Sequence, residues 1–472
     1  MHSSVKEDNP IMTRRDFARR LAAGSAAIGL AGLPPAAGLA GAPDTRRPKG
    51  ARPNILLILS DDHGQADSGC YGNTDVRTPN IDRLAREGLR FDRAFTPTAM
   101  CTPSRSSLYT GLYPHRNGAH PNHSKIEEGV KTLPEYLKPL GYRVGLAGKQ
   151  HVRPWRRFPF EAMKREAEAI RAFMTRKDDE PFCLVIATND PHTPYAKPHP
   201  ERGPKPDKVA LPPYLVDNSA TREQMVRYYA TVQRLDAEVG RYLDMVDDLG
   251  LTGDTLAIYV SDHGAGFPFQ KWTLYDAGIR IPLVVRWPGR IEKGGATGAM
   301  VTMPDLLPTF VELAGGRPPG DLDGRSVADL LLGKAKAHHD TVYGAHSNWR
   351  IVAGTHYPVR CVRTARYKDI RNLVHQGAFT NLITNGHPQT HHRRQHAVWR
   401  AWVETARDDP RAARLVHRYQ HRPAEELYDL EADPHELTNL ADDPKLAETK
   451  TELAVKLEAW MRRQGDEWVD LL

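Results

Sequence analysis

The chain has 472 residues, 40% of them hydrophobic and 26% charged, with a net charge of +7. The length suggests about two or three domains, and the composition is ordinary for a soluble globular protein. Four cysteines are too few for a disulfide framework, and past residue 50 no stretch is apolar for long enough to span a bilayer.

The first 42 residues read as a leader. "TRRDFARRL" sets Arg14 and Arg15 before Phe17, an Ala/Gly-rich apolar run follows from Leu21 to Leu39, and Ala40–Ala42 offers a small-residue cleavage site,. Four glycines and two prolines make that run a poor transmembrane helix. The twin arginines resemble a Tat signal, the route for proteins exported already folded. The expected location is therefore periplasmic or extracellular, with no lasting membrane insertion once the leader is removed. Residues 43–52 are Pro- and charge-rich and read as a linker,. Without the leader the net charge is +5. This mild bias suits a polyanionic substrate, although a solvated basic surface is the default reading. No nucleic-acid partner is expected, and a homodimer is left open.

In chain order, one grammar repeats. "NILLILSDDHG" is an apolar strand, Ile55 to Leu59, that breaks into Asp61, Asp62 and His63. Helical patterns follow in "TPNIDRLAREG", in the segment opening at Cys101, and in "TLPEYLKPLG". The strand in "YRVGLAGKQHV" ends in Lys149 and His151, and the strand from Phe182 to Ala187 runs into Asn189, Asp190 and His192. After the long pattern "REQMVRYYATVQRLDAEVGRYLDMVDDLG", "DTLAIYVSDHG" ends in Asp262, His263 and Gly264. Strands apolar at every position are buried on both faces. Strands alternating with helices argue for an α/β fold with a mainly parallel sheet sandwiched between helices. Ligands bind such sheets beyond the carboxyl ends of the strands, where all four polar clusters fall.

An Asp-Asp pair after one strand serves as readily for an Asx turn or a helix cap as for a metal. Two strands ending alike change that balance. Three carboxylates at one sheet edge would repel one another without a cation, and hard oxygen ligands suit calcium or magnesium. His263 as a fourth ligand keeps zinc open. "THHRRQH", residues 390–396, reads as an exposed basic loop, and "ELYDLEADPHELTNLADDP" as turn, cap and helix without chemistry.

Cys101 taken alone would be a buried structural thiol. In context it opens Cys101-Thr102-Pro103-Ser104-Arg105, which resembles the sulfatase consensus Cys-X-Pro-Ser-Arg. "SSLYTGLYPHRNG", the Asp pairs, "GKQH" and "DPH" continue the resemblance in matching order over essentially the whole mature chain. It implies a large mixed, mainly parallel sheet between helices, with a catalytic domain over 53–355 and a smaller α+β domain with an antiparallel sheet over 356–472. It also implies that a formylglycine-generating enzyme oxidises Cys101 to formylglycine. One hydroxyl of the hydrated aldehyde attacks sulfur, and loss of the proton from the other ejects sulfate.

By the same resemblance Asp61, Asp62, Asp262 and His263, with the modified Cys101, hold one divalent cation, usually calcium. Relatives often carry Asn at the place of His263. Arg105 pairs with diol or sulfate oxygens, Lys149 bridges sulfate and nucleophile, and His151 takes the second hydroxyl's proton. His192 protonates the leaving atom and Lys271 holds sulfate. "GKQHVRP", "SDHGAGFPFQKWTLYDAG" and "THYPVRCVRTARYKDIRNLVH" resemble the sulfamidase (heparan N-sulfatase) branch, which acts on sulfated glycans at the nitrogen of a terminal glucosamine. That branch carries Arg where this chain has Lys271. His356 and Arg360 are candidate sugar contacts, with a structural loop as the equal alternative. An O-sulfatase on another glycan or an aryl sulfate is the runner-up. A phosphoryl hydrolase of the same superfold and an inactive glycan-binding relative stand behind it.

Overall fold

The apolar runs build the centre of one large sheet in the computed structural model, which describes residues 52–176, 180–198, 203–348, 354–386 and 393–472. The expected leader and nearly all of the linker lie outside them. The strands are β1 (Asn54–Asp61), β2 (Leu89–Phe95), β3 (Arg143–Gly148), β4 (Glu161–Met163), β5 (Phe182–Pro191), β6 (Thr255–Ser261), β7 (Leu283–Arg286) and β8 (Gly295–Thr302). They lie in the order β4-β3-β5-β1-β6-β7-β2-β8. Among the described strands of this sheet only β7 runs antiparallel to its neighbours. The four strands read from sequence are the contiguous parallel block β3-β5-β1-β6, so their carboxyl ends share one edge.

Alternation along β1 explains why every residue is apolar up to Leu59. Ile55, Leu57 and Leu59 enter the core on one face, Leu56 and Ile58 the core on the other,. Each such side chain contributes roughly 1.5–3 kcal/mol of burial. The second face is covered by α1 (Pro79–Glu87), through Ile81 and Leu84. The first face is covered by α2 (Cys101–Thr110), through Leu108 and Tyr109, and by Leu133, Leu137 and Phe310. The 30-residue α3 (Ser219–Asp248) adds Leu235, Val239 and Leu243 to the second face. Asp236 of α3 accepts the amide N–H groups of Asn80 (3.0 Å) and Ile81 (2.8 Å), closing the open N-terminus of α1,.

A second, antiparallel sheet has the order β12-β11-β10-β9 and comprises β9 (Val342–His346), β10 (Val359–Arg363), β11 (Tyr367–Asn372) and β12 (Glu425–Asp429). Its first strand thus precedes residue 356, and both sheets fall within one compact unit. Further helices follow as α4 (Arg393–Thr405), α5 (Pro410–Gln420) and α6 (Ala447–Gln464). Leu453, Leu457 and Trp460 of α6 pack on Val362 and Leu427 of the second sheet. Arg393–His396, read as part of an exposed loop, instead opens α4. Gln395 is buried there and donates to Gly266 O at 2.8 Å. Residues 390–392 of that stretch lie outside the described residues. No described helix is long and apolar enough to cross a membrane.

Candidate active site

Each strand end delivers its polar cluster by a specific backbone feature. Asp62 turns off β1 in the left-handed region (φ 69°) and donates its amide to Asp262 Oδ1 at 3.1 Å. Gly264 lets the chain leave β6 past Ala277, whose carbonyl oxygen would lie 2.1 Å from any added Cβ,. α2 starts at Cys101 from an extended Met100, and all ten of its residues are buried. In its first turn the Thr102 amide donates to Asn122 Oδ1 (3.2 Å), Pro103 has no N–H, and the Ser104 amide donates to Met100 O (3.0 Å).

The acidic and basic groups interlock. Lys149 Nζ donates to Asp61 Oδ2. Lys271 Nζ lies 2.7 and 2.8 Å from the two oxygens of Asp62 and 3.6 Å from Cys101 Sγ. Arg105 Nε donates to Asp262 Oδ2 at 3.0 Å, and an Arg105 Nη lies 3.5 Å from Asp61 Oδ1. Burial raises all three carboxylates. Lys149 and its neighbours nevertheless hold Asp61 well below the usual range, Lys271 lowers Asp62, and Asp262 remains raised. Burial pushes the Cys101 thiol far up despite Lys149 and Lys271.

Two expectations change here. Repulsion among three carboxylates does not by itself demand a cation, because Arg105, Lys149 and Lys271 already sit among them. Arg105 directs its donors to Asp262, Asp61 and the Ser60 carbonyl, so in this structure it supports the carboxylates, as Lys149 and Lys271 also do. The fit to a cation rests on better evidence. Asp61 Oδ1 is buried without a hydrogen-bond partner, and ligand atoms of Asp61, Cys101, Asp262 and His263 lie within 4.8 Å of one another. His263 Nδ1 lies 2.9 Å from Gly264 O, so it carries the proton and leaves the Nε2 lone pair aimed inward, 3.3 Å from Cys101 Sγ and 3.5 Å from Asp62 Oδ1,. That is the tautomer a metal ligand needs. Oxygen-rich donors with one imidazole fit a single divalent cation.

The two other histidines flank this core. His192 Nδ1 lies 2.6 Å from the Thr193 carbonyl and its Nε2 4.0 Å from Asp62 Oδ2. Burial, then Lys271, lowers it to about 4. Asp190, a candidate to orient it, is instead paired with Arg234 (2.7 Å). His151, in the left-handed region (φ 47°), is lowered to about 2 by burial and Lys149, and its Nε2 lies 3.0 Å from His123 Nδ1. His123 was not legible in the sequence, where "HPNHSK" has no strand before it.

Arg360 does not open onto a sugar. It is buried and bidentate on Asp466, with Nη2 2.9 Å from Oδ1, and donates to the His346 carbonyl (3.2 Å) and His115 Nε2 (3.0 Å). His356 packs edge-on against Trp468 at 5.2 Å. Asp466→Ala, which strands the Arg360 charge, should cost about 3–5 kcal/mol of stability while leaving kcat per folded molecule near the parent's. Thermal unfolding beside active-site titration checks this, and a kcat loss without destabilisation would restore Arg360 to the site. A further grouping, Asp305 with His338 and His339, is a structural buckle in which His339 makes the hydrogen bond and His338 Nε2 lies 3.4 Å from Asp305 Oδ2. Arg325 donates to His339 Nδ1 (2.9 Å), so His339 Nε2 is protonated and donates to Asp305 (3.0 Å).

A nucleophile at a helix N-terminus, a carboxylate cradle and flanking lysines and histidines at one sheet edge define a hydrolase for an anionic ester. The Sulfatase family model matches residues 53–167 and 160–316, and the chain belongs to the sulfatase family. It is a sulfate ester or sulfamate hydrolase. A second model, "N-sulphoglucosamine sulphohydrolase, C-terminal", matches residues 263–393. An ulvan-active sulfatase of Formosa agariphila is 35% identical over 88% of this chain and 81% of its own length. Human N-sulphoglucosamine sulphohydrolase is 31% identical over 89% and 92%. The fold matches a protein solved with its substrate D-glucosamine-2-N,6-O-disulfate (TM-score 0.68, 21% identity, 88% of this chain and 99% of that chain). It also matches a 2-O GAG sulfatase (TM-score 0.67, 22% identity, 89% and 94%).

Proposed function

We propose that the protein removes sulfate from the nitrogen of a terminal glucosamine in a sulfated glycan, using formylglycine made from Cys101 by a formylglycine-generating enzyme. The observation that carries the reading is Cys101-Thr-Pro-Ser-Arg at the start of α2, with Cys101 gathered among Asp61, Asp262 and His263. Formylglycine supplies two hydroxyls on one carbon, one to take the sulfate and one whose deprotonation lets it go. A divalent cation, calcium in this reading, held by Asp61, Asp62, Asp262 and His263, supplies positive charge against the sulfate. Lys149 and Lys271 approach the nucleophile from two sides and bind sulfate oxygens. His151 is the base for the second hydroxyl and His192 the acid for the leaving nitrogen. The twin arginines support folded export to the periplasm or beyond, after modification inside the cell.

Nitrogen as the leaving atom is supported by the match over 263–393 and by the human relative. The ulvan-active relative, at 35% identity, favours a second reading, O-sulfate on another polysaccharide. Incubating the modified enzyme with N-sulfated and O-sulfated glucosamine side by side and assaying released sulfate separates them. Release from the O-sulfated sugar alone sinks the first reading and leaves the class intact. For the cation, Asp262→Asn keeps the shape while removing a charge, and bound metal per protein, measured by elemental analysis, should fall below stoichiometric together with turnover. Undiminished metal affinity would remove Asp262 from the ligand set.

A further inference from the structure

His151, the base in the reaction outlined above, meets a second histidine, His123, to which that reaction gives no part. Both are held in the left-handed region, at φ 47° and φ 64°, a conformation that costs a non-glycine residue on the order of 1–3 kcal/mol. They meet side chain to side chain, His151 Nε2 to His123 Nδ1 at 3.0 Å with ring centroids 4.8 Å apart. The pair runs from inside to outside, since His151 Nδ1 is buried without a partner and His123 is exposed. We propose that His123 is the positioning residue and proton outlet of His151, an inference that rests on the base role read for His151.

The need for an outlet follows from the neighbours. A proton left on His151 makes an imidazolium beside Lys149 and Arg105, both of which disfavour it,. An imidazole avoids that charge by releasing one proton as it takes another, because its two nitrogens lie on opposite sides of the ring. The second hydroxyl at residue 101 loses its proton to His151 Nδ1, and the O–H electron pair becomes the C=O bond of the aldehyde. The C–O bond to sulfate breaks and its electron pair leaves with sulfate. In the same event His151 Nε2–H passes to His123 Nδ1, and His123 gives its Nε2 proton to water. Both rings begin and end neutral but in the opposite tautomer, and hydration of the aldehyde for the next turnover runs the relay back. Water adds to the carbon and gives up one proton to solvent, and the carbonyl oxygen takes the Nδ1 proton of His151. His151 Nε2 takes that of His123 Nδ1, and His123 Nε2 regains one from water.

The outer end of this path has a partner in each state. The contact seen in the structure is that of the state after transfer, and before transfer the Nε2–H of exposed His123 turns to water. Asn122 Oδ1 accepts the Thr102 amide at 3.2 Å, which turns its Nδ2 to within 3.4 Å of His123 Nε2. Once that nitrogen has lost its proton it can accept from Asn122. The amide therefore links the turn that carries the nucleophile to the end of the path.

The test separates taking up sulfate from releasing it. With an activated aryl sulfate, His123→Ala should give a burst of phenol near one per active site at the parent's rate. Steady-state turnover should fall by roughly 10²-fold, and quenched enzyme should keep sulfate on the residue-101 peptide by mass spectrometry. Added imidazole should restore turnover. His123→Gln, which can hold the ring of His151 but cannot pass a proton, should not. Burst and steady state falling together, unchanged turnover, or rescue by His123→Gln each overturn the outlet. His151→Ala is the control for the underlying reading. If it retains no sulfate on residue 101, the base role itself fails. If it retains sulfate and His123→Ala does not, only the outlet fails.

Discussion

Cys101→Ala should abolish turnover of every sulfate ester and sulfamate, by roughly 10⁵–10⁶-fold, the scale seen when a covalent nucleophile is removed from a hydrolase. Cation binding should weaken but persist, because Asp61, Asp262 and His263 of the grouped donors remain. Cys101→Ser should be almost as poor in a host that does not modify serine. A serine hydroxyl could take sulfate, but it has no second hydroxyl on the same carbon and so no route to release the ester. The native protein, from a host with the modifying enzyme, should show the aldehyde form of residue 101 by peptide mass spectrometry. The thiol in its present surroundings supports this. It is buried, pushed far up by desolvation, and 3.3 Å from His263 Nε2, a poor thiolate but a well-placed carbon. Full activity in protein carrying only the free thiol would overturn the mechanism.

What the sequence revealed was decided by periodicity and position. β1, β3, β5 and β6 were legible because central parallel strands are apolar at every residue and stop abruptly at polar clusters. That alone predicted which edge carries the site. β7 is only four residues long, Leu283–Arg286, too short for a period to register. β8, "GATGAMVT", has an exposed first half without an apolar run. The cysteine, the aspartates and the lysines were read from strand ends and from the motif, and they do converge. The functions of two arginines were not legible, because whether a guanidinium is open or occupied depends on partners distant in sequence. Arg105 is engaged by Asp262, 157 residues away, and Arg360 by Asp466, 106 residues away. The same holds for His123, whose meaning comes from His151, 28 residues away.

His192→Ala should cost turnover of an N-sulfated sugar about 10²–10⁴-fold, the range of general-acid catalysis, and that of an activated aryl sulfate less than about tenfold. An amine leaves poorly unless protonated, whereas a phenolate leaves readily. The geometry sets which nitrogen acts. Nδ1 is held by the Thr193 carbonyl at 2.6 Å, so Nε2, on the side of Asp62, is the atom that can carry a proton to the leaving group. Burial and then Lys271 lower His192 to about 4, so the acid form is scarce at neutral pH but a strong donor when formed. The acid form grows as pH falls toward that value. The ratio of kcat/KM for the N-sulfated sugar to that for the aryl sulfate should therefore rise from pH 8 to pH 5 in the parent and stay flat in His192→Ala. Equal losses on both substrates, with no pH dependence of the ratio, would mean that His192 binds sulfate and that another group protonates the nitrogen. The contrast needs no assumption about the natural glycan, since it compares two leaving atoms in one pocket. It discriminates because, in the proposed mechanism, Lys149 and Lys271 serve the sulfate common to both substrates, while an acid at Nε2 matters only for the atom that departs.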